Sequence, residues 1–182
     1  MNPRRVVKVS FILLSLVLSA ALAALSQSTD AKTQVKAGVL AAADLQKVMP
    51  QSFFYAGQTA PVQSRNSSGA HSAQGKIFLA GLVDSSGYST GIAEKYQGFL
   101  VTDATLKVGD AELKPGAYGF GALPDGKFII TDLGGNTLFT TTFQPDNDLK
   151  RPRPLWIAED GAGFRLYLGK KYVAIQFVIT GK

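Results

Sequence analysis

Between Thr105 and Phe143 the chain breaks off one strand-like run after another, and each break falls on residues suited to reversing its direction. Leu106 and Val108 alternate with polar neighbours before Gly109-Asp110, residues that tolerate the positive φ of a two-residue hairpin loop. Pro115-Gly116 suits the central pair of a type II turn, Pro124-Asp125-Gly126 leads into Lys127 to Thr131, and Leu133-Gly134-Gly135-Asn136 leads into Thr137 to Phe143. A chain punctuated this often is expected to fold as an antiparallel meander. Within it, Tyr118 and Phe120 share one face of a strand while Ala117, Gly119 and Gly121 share the other. The second face is nearly bare, which lets another backbone layer or a ligand come close.

The flanking segments extend the pattern. Ile77 to Val83 is almost continuously apolar and leaves no polar face, the mark of a strand covered on both sides. Gln97 to Thr102, Leu155 to Ala158 and Phe164 to Leu168 read as further strands, and Gly169-Lys170 closes a hairpin into Tyr172 to Ile179. Ala37 to Met49 has helical spacing of its apolar residues and stops at Pro50, which disfavours helical geometry at Met49. Phe53, Phe54 and Tyr55 begin the strands, whereas Gly57 to Gln74, rich in Ser, Gln, Asn, Gly and Pro, reads as a loop. The expected fold is one all-β domain over 37–182, a β-sandwich or flattened barrel of roughly eight to ten antiparallel strands with a short N-terminal helix.

Residues 1–26 have the form of a secretory signal peptide: Arg4, Arg5 and Lys8 precede an apolar run that ends in small residues suited to cleavage. Residues 27–36 then form a polar, flexible start to the mature chain. The expected address is therefore periplasmic or extracellular, with contact to a membrane only through an uncleaved leader. There is no cysteine, so neither disulfides nor a lipid-bearing cysteine enter. Without the three leader cations, the 19 basic residues become 16 against 13 acidic, a net charge of +3. That balance lacks the concentrated basic footprint that nucleic acid requires.

Catalytic signals are sparse. A Ser-His-Asp site would have to use His71, the single histidine, which has no G-x-S-x-G elbow to serve. One His and no Cys cannot assemble a usual zinc site, and Asp146-Asn147-Asp148 and Glu159-Asp160-Gly161 lack the spacing of a calcium loop. A carboxylate-dependent hydrolase built on Glu94, Glu112 or Glu159 is the remaining enzymatic alternative. No cofactor or metal is expected, and a non-enzymatic binding or interaction module is the preferred reading.

Two places could carry such binding. In a lipocalin-like barrel, Phe53, Phe54 and Tyr55 would face Tyr118 and Gly119 across a pocket for an apolar small molecule. On the surface, Lys150, Arg151 and Arg153, with Trp156 close behind, could hold an anionic partner through guanidinium contacts and aromatic stacking. A lipid headgroup or a polysaccharide is the anionic surface such a patch would take, and an envelope protein or a glycan is the kind of partner expected. The segments Thr105-Leu106-Lys107-Val108-Gly109 and Glu112-Leu113-Lys114-Pro115-Gly116-Ala117-Tyr118 resemble the hairpin and turn of the bacterial exported DUF2911 family. The resemblance implies an exported β domain with no established reaction.

Overall fold

A computed structural model describes residues 36–178, so the leader, nearly all of the polar segment after it and Ile179 lie outside the described residues. The chain begins with β1 (Gly38–Val39), α1 (Ala42–Val48), β2 (Ser52–Tyr55), β3 (Gln58–His71) and β4 (Ile77–Val83). A single helical turn, α2 (Thr90–Ala93), precedes β5 (Gly98–Thr102), β6 (Leu106–Val108), β7 (Ala111–Leu113) and β8 (Gly116–Ala122). Then follow β9 (Lys127–Thr131), β10 (Thr137–Thr142), β11 (Gln144–Pro145), β12 (Arg153–Asp160), β13 (Gly163–Gly169) and β14 (Lys171–Phe177). Every pairing is antiparallel.

The strands form two separately hydrogen-bonded sheets, a sandwich and not a closed barrel. The first runs β1-β3-β4-β5-β8-β9-β10 with β2 attached to β3, and the second runs β12-β13-β14-β6-β7 with β11 attached to β14. The fourteen strands among the described residues exceed the expected eight to ten because several are pieces of two or three residues. The larger correction concerns residues 57–74, expected as a loop. Gln58–His71 is instead the longest strand, pairing β2 with its first half and β1 and β4 with its second. Backbone pairing on these neighbours overrides a composition poor in strand formers.

Turn chemistry accounts for the hairpins. Gly109 (φ 58°) and Gly169 (φ 63°) occupy the left-handed region at the first loop position of β6–β7 and β13–β14, where Val108 opposes Ala111 and Leu168 opposes Lys171. Between β9 and β10, the Asp132 carboxylate accepts from the Gly134 and Asn136 amides and from Asn136 Nδ2, each at 2.9 Å. The side-chain bond from Asn136, foremost, holds its pKa below the ordinary carboxylate value. Pro115-Gly116 departs from expectation: Gly116 does not take positive φ but opens β8. There Tyr118 folds back over it and donates its hydroxyl to the Lys114 carbonyl at 2.9 Å.

The first sheet is covered on both faces. Phe78, Ala80, Leu100, Phe120, Phe128 and Ile130 point at the second sheet and meet Leu106, Val108, Leu166, Val173 and Ile175 there. The alternate residues, Leu79, Val83 and Phe99, bury against a cover built from Phe53 and Tyr55 of β2, Met49 beyond α1, and Tyr88 and Tyr96 around α2. This double burial is why Ile77–Val83 carries no polar face.

Candidate functional site

The predicted apolar pocket is filled by the residues proposed to line it. Tyr55 lies flat on Tyr96, with ring centroids 3.9 Å apart, and is 1% exposed. A Cβ placed on Gly119 would overlap Tyr55 Cε2 and come within 2.7 Å of Thr131 Oγ1. The Thr131 hydroxyl donates to the Gly119 carbonyl at 3.2 Å, so its lone pairs accept the Tyr55 hydroxyl proton at 2.8 Å. The bare glycine face is thus a slot that seats a tyrosine ring. A Cβ on Gly121 would likewise stand 2.6 Å from the Lys95 carbonyl oxygen, so the backbone after α2 rests directly on β8.

The remaining pocket residues are placed apart. Phe53 stacks on Phe99 at 4.7 Å inside the cover, while Phe54, its neighbour on the other face of β2, is 55% exposed. Tyr118 packs on the inter-sheet core, the opposite side of β8 from the face that Gly119 bares. Successive strand residues point to opposite faces, so Tyr118 and the Gly119 slot cannot line one cavity.

The cover contains an orphan. Tyr88 donates to the carbonyls of Tyr55 and Gln58 at 3.1 and 3.0 Å, but the Tyr96 hydroxyl is buried and has no partner among the described residues. Burial, foremost, raises its pKa well above the ordinary phenol value. Tyr96→Phe removes an unpaired polar group while keeping the ring stack. It is expected to stabilise the protein by about 1 kcal/mol. Denaturant unfolding checks the sign, and a less stable variant would show that the hydroxyl has a partner.

Open space lies elsewhere. A cleft of about 350 Å³ sits between Ser72, Lys76, Asp103, Thr105 and Phe177, with Lys76 Nζ 3.7 Å from Asp103 Oδ2. Others of about 230 and 340 Å³ lie beside Gly109 and Thr141, and between Met49 of the cover and Ser67 of β3. None shares a residue with the predicted pocket. His71 ends β3 with Nδ1 3.3 Å from the Ser72 carbonyl, and the Ser67 hydroxyl donates to the Ser64 carbonyl at 2.7 Å. Among the described residues, no three His, Asp or Glu side chains gather closely enough to hold a metal ion.

The basic segment gains in the fold what its sequence alone did not carry. Arg153 opens β12 opposite Gly169, which places Lys150, Arg151 and Arg153 at the same end of the second sheet as the Gly169-Lys170-Lys171 turn. All five cations are exposed, and none pairs with a carboxylate among the described residues. The loop carrying them is anchored at its root: Gln144 and Pro145 pair with Tyr172 and Lys171, and the Asp146 amide donates to the Lys170 carbonyl at 2.8 Å. The Tyr167 hydroxyl, in turn, donates to Asp146 Oδ2 at 2.7 Å. Burial first, and the Asp146 carboxylate with it, raises the Tyr167 pKa.

Trp156 serves that anchorage. It opposes Tyr167, which opposes Tyr172, and the rings stand in a row across the outer face of β12, β13 and β14. Trp156 stacks on Tyr167 at 4.5 Å, Tyr167 lies 5.3 Å from Tyr172, and the Arg165 guanidinium sits 4.5 Å over the Tyr172 ring. Arg165 is held there by paired bonds to Asp160 at 2.9 and 3.2 Å. The stacked faces are spent on one another, which stabilises the sheet beneath the cations. Lys170 and Lys171 were missed in the sequence because only strand register brings them to Arg153.

Searches of protein-family models, of curated proteins and of solved structures each return no match to this chain.

Proposed function

We propose that the protein is an exported, non-enzymatic module that binds an anionic partner through the end of its second sheet. The observation that carries this reading is the convergence of Lys150, Arg151, Arg153, Lys170 and Lys171 there, exposed and unpaired among the described residues. The five cations outnumber the carboxylates of their own loop, Asp146 and Asp148, and such an excess of one sign raises the local concentration of oppositely charged ligands. The anchored loop adds preorganisation, since fewer of its backbone torsions remain to be fixed on binding. Export rests on the form of residues 1–26, whose basic start and apolar run precede small residues. The DUF2911 resemblance of Thr105 to Tyr118 points to the same address.

Adsorption to carboxylated dextran, with uncharged dextran as reference, tests the reading. Retention on the charged polymer alone, falling steeply between about 50 and 300 mM salt as screening grows, is the expected result. Equal retention on both polymers, or on neither, would remove the anion-binding assignment.

A further inference from the structure

Resting on that anion-binding reading, we infer that the ligand is a linear acidic polysaccharide lying across the end of the second sheet and touching both basic arms. One arm is the Lys150–Arg153 stretch and the other the Lys170-Lys171 turn, joined by the pairing of Arg153 with Gly169. From β12 to β14 the cations spread over two strand spacings, on the order of 10 Å. None of the three clefts described above includes any of the five, and the cations lie along strand ends and a hairpin turn. A flat row of charges is matched by a ligand that repeats its own charge along a chain, because each further contact becomes intramolecular once the first has formed.

A lipid surface presents repeated negative charge as well, but membrane docking of a rigid β domain is strengthened by apolar side chains placed beside the cations. The large exposed apolar residues described are Val48, Phe54, Leu133 and Leu138, and none falls in residues 144–172. Leu138 belongs to β10, in the other sheet. Beside the cations Trp156, Leu168 and Tyr172 are only part-exposed and the exposed apolar side chains are the prolines Pro145, Pro152 and Pro154, so no large apolar side chain stands free there to enter a bilayer. Arginine adds specificity here, since its planar fork matches a carboxylate or sulfate with two parallel bonds.

The protein produced with its own N-terminus, in whatever processed form is recovered, is titrated with galacturonic acid and with oligogalacturonates of increasing length. Vesicles of mixed phosphatidylglycerol and phosphatidylcholine form the second arm. Affinity is expected to rise at least ~10-fold from dimer to chains long enough to reach both arms. It should vanish on methyl esterification of the carboxylates. The Lys170→Ser/Lys171→Ser variant is expected to retain weak binding of short oligomers through the other arm and to lose the gain with length. Unchanged circular dichroism would show that it folds, and Lys150→Ser/Arg151→Ser provides the mirror test. Affinity independent of length, or equal binding of the methyl ester, would overturn the inference. Vesicle binding without oligogalacturonate binding would overturn it too while leaving the anion-binding reading intact, and binding to neither would remove both.

Discussion

Gly119→Ala is expected to destabilise the protein by about 3 kcal/mol, near the upper end of what one added methyl does in a filled core. The new carbon would overlap the Tyr55 ring and crowd Thr131 Oγ1 at 2.7 Å, and neither neighbour is free to yield. Tyr55 is clamped by its stack on Tyr96 and by its bond to Thr131, while Thr131 is fixed by its own bond to the Gly119 carbonyl. In a domain of this size the melting temperature should fall by roughly 6–12 °C. A double-mutant cycle identifies the cause. In the Tyr55→Ala background, where the slot is empty, Gly119→Ala should lose more than about 1 kcal/mol of its effect. An equal effect in both backgrounds would show that something other than the seated ring resists the methyl group.

Reversing Lys150, Lys170 and Lys171 to Glu should weaken binding to a polyanion by about 100-fold or more. Each cation near an anionic surface contributes roughly 1 kcal/mol, so losing three corresponds to about two decades of affinity, and the introduced repulsion adds to it. Without the leader cations the formal charge is +3, and three reversals take it to −3, so net charge alone could produce some of this and the control is decisive. Reversing Lys36, Lys95 and Lys114, all exposed and outside the patch, changes net charge by the same amount. That control should retain affinity within about three-fold once the salt is near physiological and distant charges are screened. Comparable losses in both variants would mean that the cluster has no special role. Isothermal titration of both against the same oligogalacturonate measures the difference.

What could be read from the sequence divides along physical lines. Gly109-Asp110, Gly169-Lys170 and Leu133 to Asn136 were legible because turn chemistry is local, and each of them closes a hairpin. The double burial of Ile77–Val83 was legible as well, since an apolar run without alternation leaves few other solutions. Residues 57–74 were not, because the buried positions of β3 include Ala60 and Gly69 on the cover side and Ala70 on the inter-sheet side, small residues that carry little pattern. Its strand character comes from its partners, the near β2 across a tight hairpin and the more distant Val39 and Val83. Likewise, the aromatic run at Phe53 to Tyr55 and the bare face at Gly119 were recognisable as complementary shapes. Whether space or contact lay between them was a matter of a few ångströms that no pattern encodes. The surface patch was half legible: its first three cations are adjacent in sequence, and the other two arrive only through register.

The position of β14 governs when this chain can begin to hold its shape. It lies inside the second sheet, between β13 on one side and β6 with β11 on the other, and Ile175 pairs with Val108. A ribosome or an export channel delivers the chain from its N-terminus. The β6–β7 hairpin therefore emerges long before its neighbouring strand and has nothing to pair with until β14 follows. The face of the first sheet that rests on Val173 and Ile175 must wait as well. Long-range pairing of this kind makes folding slow, since a large loop closes before the contact repays it. Under the export proposed above the delay has a use: a chain that cannot close until its last described strand arrives stays threadable while it is being moved across a membrane.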